Sequence, residues 1–68
     1  MGASLSVAVA AGLVSGARSL RGEALRARTA SSETRDPKAA AALERAARGM
    51  EGYAFLLSTV AELCVGRQ

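Results

Sequence analysis

From residue 36 onward, apolar residues recur at Ala39, Leu43, Ala46, Met50, Tyr53, Leu57, Val60 and Cys64, in alternating steps of four and three. Such steps keep one stripe of an α-helix apolar, here for almost four heptads. Asp36-Pro37 opens the run with an N-cap residue and a proline at the first helical position, where its missing N–H is harmless. Gly66 is placed as a C-terminal stop. Glu44, Arg45, Arg48, Glu51, Ser58, Thr59 and Glu62 fall off the stripe, and Glu44 and Arg48 have the spacing of an i,i+4 ion pair. The pattern predicts a helix over 37–65.

The first half has a similar stripe made of smaller residues. Ala10, Leu13, Ala17, Leu20, Ala24 and Ala27 step 3-4-3-4-3. Gly12, Gly16 and Gly22 oppose a helix here, each by roughly 1 kcal/mol relative to alanine. Leu5, Val7 and Val9 alternate with small residues as a strand would, but the chain offers no second strand to pair with. The reading is therefore a helix over about 5–30. The polar, aperiodic segment 31–36 is the turn. Two helices of similar length joined by so short a connection fold back on each other. The predicted fold class is all-α: one domain, an antiparallel, coiled-coil-like helical hairpin.

Helix 2 carries more apolar surface than one neighbour covers. Between Tyr53 and Val65 the sequence reads YAFLLSTVAELCV, with Phe55, Leu56, Leu63 and Val65 outside the stripe. A helix apolar over most of its circumference is normally buried on several sides, and an uncovered remainder marks an interaction site. Tyr53, Phe55, Leu56, Leu57, Val60 and Leu63 are the candidate partner-binding residues, because large apolar and aromatic side chains carry most binding energy. The expected partner is another helical protein or a second copy.

Composition strengthens the expectation of a partner. The chain has 68 residues and is half hydrophobic by count, but sixteen of those residues are alanine. A core of this size rarely supplies more than about 3–5 kcal/mol, and alanines supply less than leucines. There is no histidine and one cysteine, Cys64, so a disulfide framework, a Cys/His zinc site and a His-activated nucleophile are all excluded. Cys64 reads as a small residue of the stripe. No catalytic, cofactor-binding or metal-binding set assembles, and the expectation is a non-enzyme. The net charge of +3 resides in the first thirty residues, where Arg18, Arg21, Arg26 and Arg28 outweigh Glu23. Arg18, Arg21 and Arg28 fall along one side of helix 1. They could meet phosphates but have no aromatic stacking platform beside them, so nucleic acid ranks below protein as a partner.

Residues 3–17 carry no charge, and Gly12 and Gly16 have the small-xxx-small spacing of packed membrane helices. Spanning a bilayer takes about 20 apolar residues. This run is shorter, is broken by Ser4, Ser6 and Ser15, and ends against arginine. Close packing of two helices outside a membrane is the preferred reading of the glycines. The alternative is an accessory subunit of a membrane or mitochondrial complex with helix 1 at the bilayer. Arg18–Ser32 shares the Arg- and Ser-rich composition of mitochondrial transit peptides, whereas no positive charge precedes the apolar run as a secretory signal requires. Residues 1–6, MGASLS, fit the short pattern for N-myristoylation of Gly2.

The stretch from Leu43 to Ser58 resembles the second helix of the small co-chaperones of bacterial type III secretion needles, the YscE/PscE family. The matching positions are Leu43, Ala47, Arg48, Glu51, Gly52, Leu56 and Leu57. Those proteins are helical hairpins of similar length. The resemblance covers about 25 residues, and helix 1 departs from the family in being more apolar, more basic and richer in glycine. It implies a cytoplasmic hairpin that docks on a helical-repeat chaperone, the pair keeping a needle subunit from polymerising before export.

Overall fold

A computed structural model of the chain describes residues 2–66, with side chains from residue 5 to residue 66. It consists of two helices, α1 (Gly2–Glu33) and α2 (Pro37–Gly66), with residues 34–36 between them. The predicted all-α antiparallel hairpin is the fold. The rod measures 53 × 13 × 10 Å, with a radius of gyration of 15.5 Å, against about 11 Å for a globular domain of this length.

The turn is shorter than the sequence suggests, because Ser31–Glu33 continue α1. Their side chains satisfy backbone carbonyls rather than breaking the helix. Ser32 Oγ donates to the Thr29 carbonyl at 2.8 Å, and Ser31 Oγ reaches across to the Ala40 carbonyl at 3.0 Å. Asp36 caps α2 as read: its Oδ1 accepts from the Lys38 amide at 3.1 Å and its carbonyl accepts from the Ala40 amide at 2.9 Å. At the other end α2 includes Gly66, the last described residue, so the expected stop falls at the edge of the described residues. The myristoylation pattern spans residues 1–6, and the side chains of residues 1–4 lie outside the described residues.

Among the described residues every buried one is an alanine: Ala10, Ala17, Ala24 and Ala27 on α1, and Ala47, Ala54 and Ala61 on α2. Ala10, Ala17 and Ala24 are seven apart, as are Ala47, Ala54 and Ala61. Counting outward from the turn, Ala24 matches Ala47, Ala17 matches Ala54 and Ala10 matches Ala61. Methyl side chains at these levels let the helices approach closely. Leu43 and Met50 pack against the cluster of Ala24, Ala27 and Ala47. Leu13, Leu20, Leu57 and Cys64 are likewise half buried. The seam expected on α1 is the one observed.

On α2 half of the expected seam is corrected. Leu43, Met50, Leu57 and Cys64 face α1, but the alternate row is Ala47, Ala54 and Ala61 instead of Ala46, Tyr53 and Val60. The expected row lies one residue, about 100° around the helix, to one side. Tyr53 and Val60 are too large for the close approach the alanines permit, and both point outward, 58% and 44% exposed.

Candidate interaction surface

The seam divides the hairpin into two faces. Positions one residue after the seam form one face: Val14, Arg21 and Arg28 on α1, and Glu44, Glu51 and Ser58 on α2. This face is held by polar contacts across the helices. Arg28 donates through Nε and Nη2 to both carboxylate oxygens of Glu51, at 3.0 and 2.6 Å, and through Nη1 to Glu44 at 2.9 Å. Seven residues back, Arg21 Nη2 donates to Ser58 Oγ at 2.9 Å. Arg18, Arg48 and Glu62 occupy the same set of positions. The Glu51 carboxyl is held below its ordinary value, first by the hydrogen bond from Arg28, and Arg28 is raised in return by Glu51. Glu44 and Glu51 therefore bridge the two helices along the solvent-exposed flank of the seam, and Glu44 pairs with Arg28 where Arg48 was expected.

Positions one residue before the seam form the opposite face. On α1 these are Leu5, Val9, Gly12, Gly16 and Ser19, followed toward the turn by Glu23 and Arg26. On α2 they are Ala42, Ala46, Gly49, Tyr53, Leu56, Val60 and Leu63. A Cβ added at Gly16 would sit 3.4 Å from Leu57 Cδ1, which fixes Gly16 and the outer flank of Leu57 on this side. The two charges here, Glu23 and Arg26, pair with each other, and that pair lowers the Glu23 carboxyl through its hydrogen bond. Leu5, Val9, Tyr53, Leu56, Val60 and Leu63 are all exposed.

The six candidate residues are thus sorted. Tyr53, Leu56, Val60 and Leu63 step 3-4-3 and form one exposed ridge on the uncharged face. Leu57 is half buried against Gly16. Phe55, 68% exposed, stands on the charged face between Glu51 and Glu62. Sequence reading overlooked the contribution of α1, where Leu5 and Val9 extend the apolar surface beside Gly12 and Gly16. Gly12 has no heavy atom within 4 Å of where a Cβ would be, and neither has Gly49. Their positions just before seam residues were the available signal.

Folding also aligns two uncharged runs. Residues 3–17 and 52–66 contain one charge between them, Glu62, and the hairpin lays them side by side at its open end. A shallow groove on the charged side of that end is lined by Val14, Ser58, Glu62 and Val65 over Ala10 and Ala61. No helix among the described residues is long and apolar enough to cross a membrane. No cluster of three metal-binding side chains occurs among the described residues, and Cys64 is a free, half-buried thiol. Comparison with protein-family models, with curated proteins and with solved structures finds no match to this chain.

Proposed function

We propose that the chain is a non-enzymatic protein-binding module whose uncharged face docks on another helical protein. The observation that carries this reading is the ridge of Tyr53, Leu56, Val60 and Leu63. These large side chains are exposed while, among the described residues, the buried ones are alanines, the reverse of what an isolated domain needs. An apolar helix face of this kind is suited to lie in a groove between helices of a partner.

The finer reading, a cytoplasmic co-chaperone that helps hold a type III secretion needle subunit unpolymerised, is supported by the resemblance at Leu43, Ala47, Arg48, Glu51, Gly52, Leu56 and Leu57. The hairpin architecture and the chain length agree with it. The helical-repeat chaperone would then be the protein whose groove receives the ridge.

Affinity recovery from the native cell tests the module. The wild-type chain and Phe55→Asp should recover the same helical partner. Leu56→Asp combined with Val60→Asp should lose it while keeping the helical circular-dichroism signal, because both side chains are exposed in the hairpin. Recovery unaffected by the double substitution removes this face from the interface. For the finer reading, the recovered complex should contain a helical-repeat chaperone and a needle subunit.

A further inference from the structure

We draw no further inference here: the strongest candidate, the exposed apolar face at the open end of the hairpin formed by Tyr53, Leu56, Val60 and Leu63 beside Leu5 and Val9, belongs to the surface already described, and nothing in the structure shows what covers it.

Discussion

Ala46 and Ala47 are chemically identical neighbours, and the fold treats them oppositely. Ala47 is fully buried against Ala24 and Ala27, while Ala46 is exposed. Enlarging Ala47 to leucine forces the helices apart and should cost about 1–3 kcal/mol. Ala46→Leu should stay within about 0.5 kcal/mol. Urea unfolding followed by circular dichroism distinguishes them; equal effects would mean the seam runs through residue 46 after all. Asp36 is the other residue with a local role that can be measured. It is the N-cap of α2 through the Lys38 amide, so Asp36→Ala should lower stability by about 1 kcal/mol, whereas Asp36→Ser should retain most of the cap.

At the scale of the elements, an alanine seam with a seven-residue repeat has a weakness: one heptad looks much like the next. The short turn limits sliding, and Arg28 supplies a second lock by gripping Glu44 and Glu51, two turns apart on α2. Because Arg28 holds the Glu51 carboxyl below its ordinary value, the native state binds that proton less readily than the unfolded chain. Stability from this contact is therefore fully present above the ordinary glutamate value of about 4.3. It is lost as the pH falls through the lower, folded value. Thermal unfolding between pH 7 and pH 3 should show a decline in Tm that is smaller in Glu51→Gln than in wild type. An identical decline in the two proteins would remove Arg28–Glu51 from the pH response. The pair is solvent-exposed, so added salt should weaken it as well.

For the whole molecule, the distribution of charge along the rod is the main property created by folding. One half, next to the turn, carries nearly all charged side chains, and the open half carries Glu62 alone among residues 3–17 and 52–66. Among the described residues the rod buries alanine methyls and the flanks of a few leucines, Met50 and Cys64, which is thin support for a chain of 68 residues. Its stability should accordingly depend on what covers the open half. If a second copy does so, Tm rises with chain concentration by mass action. A scan over a hundredfold range of concentration checks this, and a constant Tm would assign all the stability to the single hairpin.

Much of this architecture was legible in the chain. The 3-4 steps on each side of a polar break, with Asp36-Pro37 as a start signal, determined two helices, their antiparallel pairing and the α1 seam from Ala10 to Ala27. The surplus of apolar surface on α2 was legible too, because it depends on residue type and count alone. What only the tertiary structure decided was which edge of that broad apolar sector faces α1. Periodicity fixes the direction of a stripe to within about one residue, and stripes through Ala46, Tyr53 and Val60 or through Ala47, Ala54 and Ala61 fit equally well. Size resolves it: two helices that pack through methyl groups must turn their larger side chains outward. That single rotation put Tyr53, Leu56, Val60 and Leu63 on the surface beside Gly12 and Gly16. It carried Phe55 to the opposite face and brought Glu44 and Glu51 within reach of Arg28.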